Sequence, residues 1–220
     1  MLISYETVLG LLKTHNIIIN GALHIGAHEC EEKMFYNTFL NLNDDHIVWI
    51  DGNCEKVNKM KLENIKHIYH AVLNDRDGEV TFNITNNTQA SSILELNHEK
   101  GYYNDIHIMM KEKVSCYALS TFVNVHSIDI KNLNFWNLDI QGSELNVLKG
   151  SPELLEYCDV IYTEVNSDHV YKNCGLVSEM DNFLQLHGFT RVYTVWDSAN
   201  WGDAIYIRLQ KSHTVIYNVR

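Results

Sequence analysis

Proline is almost missing from this chain: Pro152 is the only one in 220 residues. No Pro-rich, Gly-rich or low-complexity stretch marks a linker, and the length suits a single domain, residues 1–220, with a sizeable core. Long apolar runs are missing as well. None approaches the ~20 residues needed to cross a bilayer, and Met1-Leu2-Ile3-Ser4-Tyr5-Glu6 carries no basic region of a signal peptide. Positive charge is scarce: Lys and Arg number 17 against 28 Asp and Glu, a net charge of −11. That balance argues against a broad phosphate-binding face, and so against nucleic acid and anionic membranes as partners. The five cysteines (Cys30, Cys54, Cys116, Cys158, Cys174) include no C-x-x-C pair. They read as free thiols in a reducing, cytoplasmic setting. Asn83-Ile84-Thr85 and Asn86-Asn87-Thr88 match the glycosylation acceptor pattern, which is chance where no secretory signal accompanies it.

What is present is a repeated alternation of apolar runs and amphipathic segments. Leu2, Tyr5, Val8, Leu9 and Leu12 are spaced as one face of a helix over residues 2–15. A strand over 17–25 follows, then a helical pattern over 29–42, a short buried strand at 47–50, a helix over 55–63 and a strand over 67–72. This β-α-β-α-β order predicts a parallel sheet with crossover helices. Residues 78–84 alternate as a strand, and 86–113 form an irregular insertion expected over the active site. Strands are expected at 133–140 and 159–165, with helices over 142–149 and 176–187. The chain ends on two strand patterns, 190–196 and 204–209, separated only by residues 197–203. Strands joined without a helix pair antiparallel. A terminal hairpin on an otherwise parallel sheet is the topology of S-adenosylmethionine-dependent methyltransferases.

Three groups of residues stand where chemistry is expected. Ile17 to Ile19, Asn20-Gly21-Ala22-Leu23 and His24-Ile25-Gly26-Ala27-His28 form a strand and a small-residue turn, where a ligand can approach backbone and a helix start offers N–H groups. Only Gly26 remains of the three glycines in a full dinucleotide fingerprint. Asp51 ends the second strand 25 residues after Gly26, within reach of a ribose. Asn137-Leu138-Asp139-Ile140-Gln141-Gly142-Ser143-Glu144 delivers Asp139 to a strand end, with Glu144 either a ligand or a helix cap. Thr163-Glu164-Val165-Asn166 brings Glu164 to the same edge. Asp139, Glu164 and Asn166 offer oxygen ligands to a hard divalent cation, a possibility that is not favoured, or else one carboxylate serves as a base. His24, His28 and Cys30 invite a zinc reading, but they straddle a strand end and a turn rather than one helix face. Ser91 and Ser92 either grip a ligand carboxylate or make turns.

These segments resemble the FkbM-type methyltransferases, a family of S-adenosylmethionine-dependent O-methyltransferases often acting on sugars and glycans. The resemblance covers about residues 18–208. It rests on His24-Ile25-Gly26-Ala27-His28, on Ala71-Val72-Leu73-Asn74-Asp75 with Gly78-Glu79-Val80-Thr81-Phe82, and on Ser91-Ser92-Ile93-Leu94. Most specific is Leu138-Asp139-Ile140-Gln141-Gly142-Ser143-Glu144 with Val147-Leu148-Lys149-Gly150. His24, His28 and Cys30 stand where the family commonly has Asp, Asn and Gly; Asp51-Gly52 replaces Glu followed by Pro, and Gln141 replaces a frequent Glu. The resemblance implies an α/β, Rossmann-like class I fold: a mostly parallel seven-stranded sheet, helices on both faces and a C-terminal antiparallel hairpin. It implies S-adenosylmethionine with Gly26, Ala27 and His28 at the methionyl part, and Asp51 and Gly52 at the ribose. Ala71, Val72 and Asp75 (or Asn74) would lie near the adenine, while Ser92, Asp139 and Gln141 complete the cofactor set. The acceptor would be a sugar, nucleotide sugar or glycan hydroxyl, with Asp139, Glu164 or His28 as the base and Trp201 and Tyr102 stacking on the sugar. An NAD(P)-dependent oxidoreductase or epimerase, and an inert S-adenosylmethionine-binding module, are the competing readings. Oligomeric state is left open.

Overall fold

The computed structural model describes residues 1–101 and 103–209. In chain order the elements are α1 (Tyr5–Thr14), β1 (Ala22–Ile25), β2 (Ile47–Asp51), α2 (Cys54–Leu62), β3 (Ile68–His70), β4 (Val72–Leu73), β5 (Gly78–Thr85) and β6 (Ile108–Tyr117). Then come α3 (Leu119–Val125), β7 (Phe135–Leu138), α4 (Glu144–Gly150), β8 (Val160–Asn166), α5 (Val177–Leu186), β9 (Phe189–Trp196) and β10 (Trp201–Arg208). Seven strands form the central sheet in the order β3-β2-β1-β7-β8-β10-β9. All pairings are parallel except those of β10, which runs antiparallel to β8 and β9. The α/β fold with its terminal antiparallel hairpin is therefore as the sequence predicts.

Side-chain alternation explains why the central strands hold. In β1, Leu23 and Ile25 join one core with Trp136, Leu138 and residues of α3, α4 and α5. Ala22 faces the other core, with Trp49, Phe135 and residues of α1 and α2. β1 and β7 are buried along their whole length, as expected of parallel strands covered on both faces. The strand order turns back between β1 and β7, and open α/β sheets bind ligands in the crevice at such a reversal, beyond the strand C-termini.

Several elements differ from the sequence reading for identifiable reasons. The first strand begins at Ala22, not residue 17, because the Asn134 side chain takes up the lead-in: its Nδ2 donates to Ile18 O and its Oδ1 accepts from Asn20 N, both at 2.8 Å. The pattern over 29–42 yields only a short helical stretch with a π turn, Phe35–Phe39, closed by Leu40 N donating to Phe35 O. The wider turn buries two successive rings, Phe35 and Tyr36, which a regular helix would point apart. The third strand splits: after Ala71 N donates to Asp51 O, the chain leaves the main sheet and β4 pairs with β6. Residues 108–113 of the expected irregular insertion are regular strand, because β6 pairs with β5 as an antiparallel arm. The terminal loop is shorter than expected, since Trp201 and Asp203 belong to β10.

At the centre of the second core, the Tyr36 hydroxyl accepts from Asn137 Nδ2 at 3.1 Å and lies 2.9 Å from His24 Nδ1, the acceptor without which the buried hydroxyl proton would have no partner. That arrangement needs a neutral His24, and burial pushes the His24 pKa down. Tyr36→Phe leaves two buried polar groups unsatisfied, so it is expected to destabilise the fold by about 1–3 kcal/mol, read from urea unfolding midpoints.

Candidate active site

Gly26 ends β1 with a left-handed φ of 91°. A Cβ there would stand 1.7 Å from the carbonyl oxygen of Asp139, so the ends of β1 and β7 meet backbone to backbone. The turn's N–H groups are already committed. Gly26 and Ala27 both donate to Ile50 O, His28 N donates to Asp51 Oδ2 at 2.7 Å, and Cys30 N donates to Ala27 O. No regular helix starts directly after it. The free amide cradle anticipated from the sequence is thus absent, and with it the means by which a dinucleotide fold holds a pyrophosphate.

A cavity of about 400 Å³ opens at this strand edge, within the range of small-molecule sites. Gly26, His28, Asp51 and Gly52 line it, as do Ala71, Val72 and Ser92; Asp139, Gln141 and Glu164 line its other end. Three of the expected residues, Ala27, Asp75 and its alternative Asn74, do not line it. Ala27 is buried in the second core. Asp75 turns its carboxylate toward Arg76 on the surface, and its backbone packs against Gly150. Tyr102 lies outside the described residues, whereas Trp201 lines the cavity. Sequence reasoning missed Phe82, Tyr103, Tyr171 and Asp203. Phe82 covers Gly52, where a Cβ would meet its ring at 3.0 Å.

At the first end, Asp51 accepts from His28 N and Asn53 N, one bond to each oxygen at 2.7 Å. Each carboxylate oxygen keeps a second acceptor position. His28 Nδ1 is 2.7 Å from Glu31 Oε1 and its Nε2 is 3.0 Å from Thr88 Oγ1, so the ring ties the glycine turn to the insertion. Both ring nitrogens are thereby spent. Ser92 donates to Gln141 O at 2.9 Å, and Ser91 accepts from Thr85 N; both hydroxyls make local structure.

The deep end is acidic. Gln141, at a left-handed φ of 58°, points Nε2 at Asp139 Oδ1 (2.6 Å) and Glu164 Oε2 (2.8 Å). Its Oε1 accepts from the Tyr171 hydroxyl at 2.8 Å, which fixes the amide with its donor face toward the carboxylates. Asp203, across the β8–β10 ladder from Glu164, accepts from the Tyr162 hydroxyl and from Leu2 N. Glu144 Oε1 accepts from Ile140 N and Gly142 N at 2.8 and 3.1 Å, so it closes the turn before α4 rather than capping the helix's own first amides.

Asp139 is open to the cavity but deep within the fold, and loss of bulk water together with the nearby Asp203 charge raises its pKa to about 6. Burial raises Glu144 to about 7, and burial with the Asp139 charge pushes Glu164 well above the usual carboxylate range. No Lys or Arg among the described residues lines the cavity. Nor do the described residues gather three or more His, Cys, Asp or Glu in an arrangement suited to a metal ion.

Gly26→Ala must displace the Asp139 carbonyl and adopt an unfavourable φ. It is expected to cost on the order of 4–5 kcal/mol or abolish folding, measured by thermal denaturation and soluble yield.

A family model described as the methyltransferase FkbM domain matches residues 24–191. No curated protein matches. Among solved structures, magnesium protoporphyrin IX methyltransferase from Synechocystis PCC 6803 with bound S-adenosylmethionine (SAM) is similar at 10% identity. It covers 93% of this chain and 78% of that one, with a TM-score of 0.46. The same enzyme with bound S-adenosylhomocysteine (SAH) is similar at 8% identity, 93% and 82% coverage and the same TM-score. The family match spans most of the chain, from His24 at the end of β1 to Arg191 on β9, so the chain belongs to the methyltransferase FkbM domain family.

Proposed function

We propose that this methyltransferase, a single domain over residues 1–220, passes the methyl group of SAM to a hydroxyl of a sugar or glycan. The family uses SAM, and the cavity chemistry fits that donor. When bound, the donor supplies an electrophilic methyl group on a positively charged sulfur. A cavity with Asp139, Glu164 and Asp203 at one end and no cationic side chain suits a positively charged ligand. The committed amides of the glycine turn disfavour a pyrophosphate, and with it the oxidoreductase reading.

In this reading Gly26 and His28 border the methionyl part, Asp51 and Gly52 the ribose, and Ala71, Val72 and Phe82 the adenine. Asp51 has acceptor positions left for the ribose hydroxyls. Gln141 holds the carboxylates of Asp139 and Glu164 side by side, and Ser92 fixes the Gln141 backbone. The acceptor hydroxyl loses its proton to Asp139 or Glu164, and the engaged ring of His28 supports the site rather than serving as base. Trp201 and Tyr103 line the cavity near the acidic end and offer apolar faces to a sugar ring. The observation that carries the reading is the amide-bridged carboxylate pair in a cavity whose described lining holds no Lys or Arg. No helix among the described residues is long and apolar enough to cross a membrane, and all five cysteines are free, as suits a reducing cytoplasm.

The deciding experiment is labelled-methyl transfer from SAM to a panel of free glycans and nucleotide sugars, with and without Mg²⁺. Donor binding without transfer to any acceptor would favour an inert module. Asp139→Asn is expected to lower turnover by at least ~100-fold while leaving the thermal unfolding profile intact. Because the carboxylate pair must be ionised to take a proton, kcat/KM is expected to rise with pH from about 6 upward, in a pH-rate profile.

A further inference from the structure

We infer that the carboxyl cluster at the deep end of the cavity gives up a proton when the positively charged donor binds and recovers one from the acceptor hydroxyl. This rests on the donor reading above.

The geometry sets up the exchange. Asp139 from β7, Glu164 from β8 and Asp203 from β10 converge on one end of the cavity, and one amide, Gln141 Nε2, serves both Asp139 and Glu164. Every element packed around them adds acid or neutral polarity. Glu144 comes from α4, Tyr162 from β8, and Tyr171 from the segment after β8. Tyr103 belongs to the insertion, Glu32 to the segment before the π turn, and His24 to β1. The Met1 amino group, 3.5 Å from Glu32, partly offsets these acids at Asp139. A second observation also points to a ligand here. Ser143, 1% exposed, lines the same cavity, and its hydroxyl has no protein partner.

Adjacent carboxyl groups under mutual repulsion share a proton instead of both ionising. Raised pKa values at Asp139 and far more so at Glu164 place that proton on the pair near neutral pH. A sulfonium beside the pair supplies the positive charge that the proton had supplied, and the proton leaves to solvent. In the transfer, the acceptor oxygen forms its bond to the methyl carbon as the carbon–sulfur bond breaks, and sulfur keeps the electron pair. The carboxylate pair takes the hydroxyl proton. The product thioether is neutral and the pair is protonated again, so each cycle consumes one hydroxyl proton and releases one at the next donor binding. The empty and product-bound sites share one protonation state, and the donor-bound site differs from both.

The test is calorimetric titration of the protein with SAM and, separately, SAH at about pH 7, in two buffers of different ionisation enthalpy. SAM is expected to release up to one proton more than SAH. The direction with pH follows: a pair whose pKa is high when empty and low beside a cation favours the donor increasingly as pH rises. Affinity for SAM relative to SAH should therefore climb by up to about tenfold per pH unit until the empty pair ionises by itself. Glu164→Gln should remove the difference while still binding SAH, which reports that the variant is folded. Equal proton release by the two ligands, or a difference that persists in Glu164→Gln, would overturn the inference. If neither ligand binds, the donor reading itself fails.

Discussion

Gly26 and Asp139 meet so closely that no side chain fits between them. This contact joins the C-terminal ends of β1 and β7, the two strands flanking the reversal in strand order, and so locates the crevice. The left-handed turn that follows hands its amides to β2 and to Asp51, which locks the adjacent strand end to the same edge. On the other side, the Asp139 backbone leads into Gln141 and Gly142, both at positive φ, and so aims the Gln141 amide at the carboxylates. One steric constraint thus positions both ends of the cavity.

The cavity's charge follows from what surrounds it. Lysines outside it are engaged with acids: Lys56 and Lys59 with Glu29, Lys33 with Asp44, and Lys111 and Lys172 with Glu95. Arg208 spends its guanidinium on the backbone carbonyls of Cys158, Leu155 and His187. The carboxyl groups at the strand edge therefore face one another with only an amide and tyrosine hydroxyls between them. Their environment makes them weak acids and leaves the site short of positive charge.

The fold was largely legible because its signals are local. Apolar runs mark β2, β7 and β8, and the short interval between β9 and β10 forces the hairpin. The acidic pair was legible too, since Asp139 and Glu164 each end an apolar run. Partners from distant segments carried no such signal. Tyr171 reaches Gln141 from a loop thirty positions later, and Asp203 meets Glu164 only through an antiparallel register. Of the antiparallel arm, β5 was legible as the alternation over 78–84, whereas the first half of β6 was not, because Met109 and Met110 are exposed beside Lys111 and Lys113. The helical pattern over 29–42 misled in the opposite sense, since Phe35 and Tyr36 both point inward where helical spacing allows one.

The buried triad of Asn137, Tyr36 and His24 also sets an acid limit on the domain. Tyr36 can donate to His24 Nδ1 only while that nitrogen carries no proton. With the His24 pKa held down by burial, the folded chain resists a proton that the unfolded chain accepts readily. Folding free energy is therefore lost as pH falls below the ordinary histidine range, and the loss arises at the centre of β1, stacked against Trp49. His24, held neutral between Tyr36 and Trp49, is a core group that fails by gaining charge.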